Sequence, residues 1–193
     1  MTGYLKLRRH ALRILHSELS EQLCYHGISH TLDVLRVCNL YIRREQLNRE
    51  KAKLLRIGAL CHDIGYTVSD EDHEQESAEL AATLMTQYGF TKNQISTIKD
   101  LILATKIPQT PKTSLEKILC DADLDYLGRK DYYEISNKLY KEMKTFNLVL
   151  NKEEWRKIQI SFLEKHKYHT PFARKNRKPG KERRLQELKG QKN

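Results

Sequence analysis

Three short stretches hold the residues that could do chemistry. Leu60-Cys61-His62-Asp63-Ile64-Gly65 sets an imidazole beside a carboxylate at the end of an apolar run, with a glycine two residues on. Upstream lies Tyr25-His26-Gly27-Ile28-Ser29-His30-Thr31-Leu32, downstream lies Asp121-Ala122-Asp123-Leu124-Asp125, and His73 falls between them. Imidazoles and carboxylates together are mixed hard and borderline donors, suited to Mn²⁺, Fe²⁺, Co²⁺, Zn²⁺ or Mg²⁺. Four such donors leave an octahedral ion two open positions, one for water and one for a phosphoryl oxygen. The cation would lower the pKa of its water and offset charge as phosphorus is attacked. A carboxylate such as Asp63 or Asp121 could also bridge to a second ion held by waters and a substrate phosphate.

The elements that must position these groups read as helices throughout, and no segment reads as a strand. A first amphipathic helix is expected over 4–19, with Leu5, Leu12, Ile14, Leu15 and Leu19 on its apolar face. A second starts near Ser29, its expected N-cap, and puts His30 in the first turn, where a ligand can lean out of the helix end. The third runs over 49–62 behind the cap residue Asn48. Successive helical residues diverge by about 100°, so His62 and Asp63 can share one cation only where the helix frays, and Gly65 is expected to supply such an end. Capping boxes are expected at Asp72 with Gln75, Thr91 with Gln94, Thr113 with Glu116 and Asn151 with Glu154. They open helices over about 72–89, 94–105, 113–128 and 152–166, with another helix over 131–146 and a loop over 108–111. Thr170-Pro171 opens a last basic helix, interrupted at Lys178-Pro179-Gly180. The fold class expected is all-α: a single-domain bundle of eight or nine helices. It is divided into a helical domain holding the site (1–170) and a basic C-terminal helix or tail (171–193).

Composition bounds the reading. The chain has 193 residues, 39% apolar and 31% charged, which suits a single globular domain with a highly charged surface. No run approaches the roughly 20 apolar residues of a membrane span. Lys6, Arg8 and Arg9 are not followed by a signal-type apolar stretch, so no membrane association and a cytoplasmic location are expected. The four cysteines show no CxxC spacing and read as reduced. Cys61 and Cys120, each just before a candidate ligand, read as small apolar residues packed beneath the site. The net charge of +10 is uneven: residues 164–193 carry eleven Lys or Arg against three Glu. That excess would attract polyanions, so nucleic acid is a candidate partner of the tail. A solvated, partly disordered tail from Gly180 onward is an equal expectation. Oligomeric state has no signal in the sequence.

The order His, His-Asp, Asp resembles the HD superfamily of metal-dependent phosphohydrolases, over about Tyr25 to Gly128. The resemblance implies His30, His62, Asp63 and Asp121 as ligands of one or two divalent ions, with Asp63 also catalytic. Tyr25-His26 through His30 is similar to the element of cyclic-nucleotide phosphodiesterases in which the first histidine protonates the leaving oxygen. By that likeness His26 is the general acid, a role suited to a group that titrates near neutrality. The glutamine-and-aromatic purine clamp of that branch has no counterpart near the C-terminus. His73 would bind a second metal, contact substrate or support the ligands by a hydrogen bond. It is the only histidine between Asp63 and Asp121, which argues against di-iron HD oxygenases and against the HD-GYP type, both of which need more. The reaction implied is hydrolysis of a nucleotide or other phosphate ester, a phosphodiester included, by attack of metal-bound water. The alternative is a non-catalytic nucleotide- or nucleic-acid-binding module that uses the basic C-terminus. Dull readings stand beside the sharp ones. His26 can be a loop histidine bonded to backbone, Asp123 and Asp125 surface carboxylates or supporting acceptors, and Lys106 either solvated or a phosphate contact. His10 and His16 read as solvated or core-edge residues, and His166 and His169 as part of a basic turn.

Overall fold

A computed structural model describes residues 3–190. They form ten α-helices and no strand: α1 (Gly3–Glu18), α2 (Ile28–Arg44), α3 (Arg49–Cys61), α4 (His73–Gln87), α5 (Lys92–Leu103), α6 (Ser114–Asp123), α7 (Tyr132–Thr145), α8 (Lys152–Lys165), α9 (Pro171–Asn176) and α10 (Lys178–Gly190). Single 3-10 turns stand at Ile64–Thr67 and Asp125–Gly128. No described helix is long and apolar enough to cross a membrane. The residues divide into two compact units, residues 1–21 with 26–123 and residues 22–25 with 124–193.

In the first unit α3 is the central helix. It packs on α1, α2, α5 and α6, and Ala52, Leu54, Leu55, Ile57, Gly58, Ala59, Leu60 and Cys61 are all buried. A helix apolar on every side belongs inside. Gly58 lets its neighbours close in, since a Cβ there would meet the Leu119 and Leu101 side chains. Asn48 caps α3 as expected, accepting from the Lys51 amide at 2.9 Å. Thr91 and Gln94 form the reciprocal box that starts α5, and Gly89, at φ 75°, ends the turn after α4.

Three expected caps differ. Gly27, not Ser29, is the N-cap of α2 and gives no side-chain bond. Asp72 does stand at the N-cap of α4, but in the left-handed region (φ 51°) with no capping bond, because its carboxylate is taken by the Lys106 ammonium. Glu154 reaches the Leu150 amide, one residue beyond the Asn151 cap.

The second unit is built on Tyr25, Leu124, Tyr126, Leu127, Tyr132, Leu163, Tyr168, Ala173 and Leu188. Asp125, 1% exposed, pairs with Arg177 Nε at 2.6 Å and Arg129 at 3.5 Å. A Cβ on Gly128 would strike the Arg177 backbone, and one on Gly180 would strike Gly128. Two glycines are therefore what let the 3-10 turn and the start of α10 meet. The basic tail is ordered helix to Gly190, with Lys181 and Leu188 buried. Its break comes at Arg177, and Lys178-Pro179-Gly180 forms the first turn of α10, where proline's missing amide costs nothing.

Candidate metal centre

The site is assembled from helix ends of the first unit. The first turn of α2 supplies His30, buried beside Thr31. The end of α3 supplies the pair. His62 is the C-cap, still helical at φ −60° and ψ −32°, while Asp63 leaves the helix at φ −112° and ψ 8°. That change of direction brings two successive side chains to one point, as the fraying argument requires. Gly65 works differently from expectation. Its φ is not positive, so it is no left-handed cap. Its need is space: a Cβ would collide with the His73 carbonyl and the Ser77 amide. Without one, the Ile64–Thr67 turn lies flat on the start of α4, and the Gly65 amide donates to Ser77 Oγ at 2.7 Å.

His30 Nε2 and His62 Nε2 are 3.3 Å apart. Asp63 Oδ2 is 3.4 Å from the first and 3.2 Å from the second. Asp123 Oδ1 is 3.1 Å and 3.6 Å from the same two atoms. Donor atoms of His30, His62 and Asp123 all lie within 4.8 Å of one another, a group that could hold a metal ion. From α6, the Asp123 carboxylate, expected as a supporting acceptor or substrate contact, comes within reach of both histidines. Asp121, two residues earlier on α6, is fully buried.

The donor chemistry fits a cation. His62 Nδ1 is 3.1 Å from the Ala59 carbonyl. A carbonyl only accepts, so Nδ1 carries the proton and a neutral His62 turns the lone pair of Nε2 to the cluster. Asp63 Oδ2 is buried and accepts no hydrogen bond. Two imidazoles and two carboxylates thus converge at a buried point, with one carboxylate oxygen unpaired, a concentration of negative charge that a cation would relieve. A proton does so in the metal-free chain. Burial opposes charge on His62, yet the Asp63 and Asp123 carboxylates beside it raise its pKa well above the ordinary imidazole value. Burial also opposes ionisation of Asp123, but bonds from His30 and His62 bring its pKa down to about 2. Asp63 is held low against its burial by His62, then His30 and His26.

His73, the first residue of α4, stands behind this group, with Nε2 3.8 Å from Asp63 Oδ1 and 3.5 Å from Glu74 Oε1. Burial lowers its pKa, against the pull of Asp63 and Glu74. His26, half-buried on the loop before α2, stacks on Tyr66 with ring centroids 4.5 Å apart. Lys106 does not join the cluster; it is exposed and bonded to Asp72. Cys61 and Cys120 are both buried, and Cys120 donates to the Ala104 carbonyl. Burial raises the Cys61 pKa to about 12, so neither is a nucleophile. Three neighbours had no sequence signal as site residues: Glu74, buried beside His73; Tyr66; and Gln109, whose Nε2 is 3.5 Å from Asp123 Oδ2 and 3.3 Å from the Cys120 carbonyl. Only tertiary packing brings Gln109 to α6, from a loop 14 residues before Asp123.

The HD domain family matches residues 27–125, a span that includes every residue of the cluster. An uncharacterized protein of Clostridium beijerinckii is 32% identical over 89 residues, 45% of this chain and 56% of the relative. The chain thus matches little more than half the length of that relative. No solved structure matches.

Proposed function

Because the chain belongs to the HD domain family, whose members are typically metal-dependent hydrolases, we propose that it is a metal-dependent phosphohydrolase acting on a nucleotide or another phosphate ester. The observation that carries this reading is the convergence of His30, His62, Asp63 and Asp123 at a buried point where Asp63 Oδ2 accepts no hydrogen bond. Those four residues would hold a divalent ion, with Asp121 the alternative ligand from α6. A bound divalent ion supplies Lewis-acid charge for a phosphoryl oxygen and lowers the pKa of water. The chain's own groups do the rest. The Ala59 carbonyl fixes the His62 tautomer, and Gln109 braces Asp123 from behind. His26, half-buried and 6.1 Å from His30 between ring centroids, suits the proton donor to the leaving oxygen. His73 and Glu74 are a second imidazole–carboxylate pair behind Asp63, in reach of substrate or of a second ion. Lys106 would reach a substrate phosphate only by exchanging Asp72 for it.

The test is phosphate or nucleoside release from a panel of phosphomonoesters, nucleotides and cyclic nucleotides with added Mn²⁺, beside Asp63→Ala. Turnover that needs metal and is lost in the variant is expected, and the preferred ester separates monoesterase from diesterase. Equal rates in both proteins with every substrate would sink the proposal. One observation favours a second reading, polyanion binding without turnover. In the second unit, a cavity of about 640 Å³ is lined by Lys167, Arg174, Lys178 and Lys181 together with His166 and His169. Nucleic-acid binding that weakens steeply with salt, with no metal-dependent turnover, would support it.

A further inference from the structure

We propose that Tyr66 is a positioning residue that holds the imidazoles of His26 and His73 in fixed planes beside the metal cluster. The inference rests on the phosphohydrolase reading for its consequence in catalysis, though not for its geometry. Tyr66 touches both histidines. Its ring centroid is 4.5 Å from that of His26 at an interplanar angle of 28°, and 4.0 Å from that of His73 at 18°. The two imidazoles are themselves 6.1 Å apart at 45°. One flat ring therefore serves as a shared platform for groups that come from different parts of the chain, the loop before α2 and the first turn of α4.

The backbone explains why the platform is firm. Tyr66 sits inside the Ile64–Thr67 turn, its amide donating to the Asp63 carbonyl at 3.1 Å. The preceding Gly65 is seated against α4 by the absence of a side chain and by its bond to Ser77 Oγ. The turn that points Asp63 at the histidines thus also presses the Tyr66 ring against His73. His26, by contrast, is on the loop before α2, and the same ring meets it there.

A ring face suits this task better than a hydrogen bond does. A proton donor alternates between imidazolium and imidazole, and a carboxylate or carbonyl partner would grip one form and release the other. An aromatic face stacks on the neutral ring and attracts the cation. His26 can then keep its direction through both halves of a proton transfer. Misplacing a reacting group by about 1 Å can cost on the order of a hundredfold in rate, so a lost platform should be visible in kcat.

The experiment compares full-length Tyr66→Phe, which keeps the ring, with Tyr66→Leu, which removes it, and with Tyr66→Gln should the leucine variant not fold. In the metal-free proteins, the ring-carbon protons of His26 and His73 are followed by NMR. The current of the Tyr66 ring shifts them in the wild type. The expected result is that Phe leaves these shifts in place and that Leu or Gln moves both. In Mn²⁺-loaded protein, Phe should keep kcat within about threefold. Leu or Gln should lower it about ten- to a hundredfold, with KM and Mn²⁺ affinity nearly unchanged. Histidine resonances that do not move in the ringless variants, or ringless variants that turn over like wild type, would overturn the proposal. Absence of turnover in the wild type itself would count against the phosphohydrolase, and the NMR comparison would still decide whether Tyr66 holds the two rings.

Discussion

Replacing Asp123 by Asn, beside the same change at Asp121, separates the two readings of the Asp121-Ala122-Asp123 stretch. Asp123 Oδ1 lies 3.1 Å and 3.6 Å from the two imidazole nitrogens, so Asn there keeps the shape and removes one negative charge from the cluster. At an effective dielectric near 20, two unit charges about 4 Å apart interact by about 4 kcal/mol, and a divalent ion by twice that, so about 4 kcal/mol is a lower bound that allows for solvent screening. That converts to roughly a thousandfold in affinity for the ion. With Asp123 as the α6 ligand, Asp121→Asn should change Mn²⁺ affinity less than about threefold, whatever it does to the fold. Isothermal titration of the metal-free proteins with Mn²⁺ reads both numbers. A thermal shift checks them, since an ion at about 100 times its Kd adds about 2.7 kcal/mol to stability. Loss of binding in Asp121→Asn with near wild-type binding in Asp123→Asn would refute the assignment and restore the sequence-based one.

Three further outcomes are expected. Stability of the metal-free chain should be greatest in a mid-pH window. The contribution of His62, whose folded pKa is raised, is complete below its unfolded value and fades as pH climbs through the folded one. That of Asp63 and Asp123, whose folded values are lowered, is complete above their unfolded values and fades as pH falls through the folded ones. Urea midpoints across the pH range should show both edges, and in Asp123→Asn the alkaline edge should move to lower pH. A midpoint flat with pH in the wild type would contradict this. Asp125→Ala strands two arginines in the second unit and should cost about 3–5 kcal/mol in the transition reported by Trp155 fluorescence; a loss under about 1 kcal/mol would disagree. A thiol reagent should find one cysteine in the native protein, the exposed Cys24, and four after denaturation; rapid reaction of Cys61 or Cys120 would mean that the site is open beneath.

The helical class and most helix starts were legible because they rest on local chemistry. Asn48, Thr91 with Gln94, and Asn151 bond to amides two or three residues away. Asp72 has the same residue type, yet its carboxylate went to a lysine 34 residues distant, and no local rule sees that partner. The ligand types could be read, but the choice between Asp121 and Asp123 turns on the rotational phase of α6, which two acids two residues apart leave open. Gly65 was noticed for the wrong reason, since the requirement for space comes from α4 and not from backbone dihedrals. Tyr66 and Gln109 carry no motif, and only the packed structure gives them partners in the site. The order of the tail was hidden because α10 is polar on most faces, and its docking rests on Leu188, Lys181 and two glycine contacts.

The donors of the cluster come from three helices, with His62 32 residues and Asp123 93 residues beyond His30. An ion held there is therefore a cross-link, joining the chain across loops of those lengths. Closing a long loop costs an open chain entropy that grows only slowly with its length, and the ion imposes that closure on any state that keeps it. Loading and folding then become one equilibrium. A chelator would act as a denaturant of the first unit, and a protease added with it would cut the helices between the donors before the rest. The centre proposed for chemistry would thus also be the clasp that keeps its own scaffold shut.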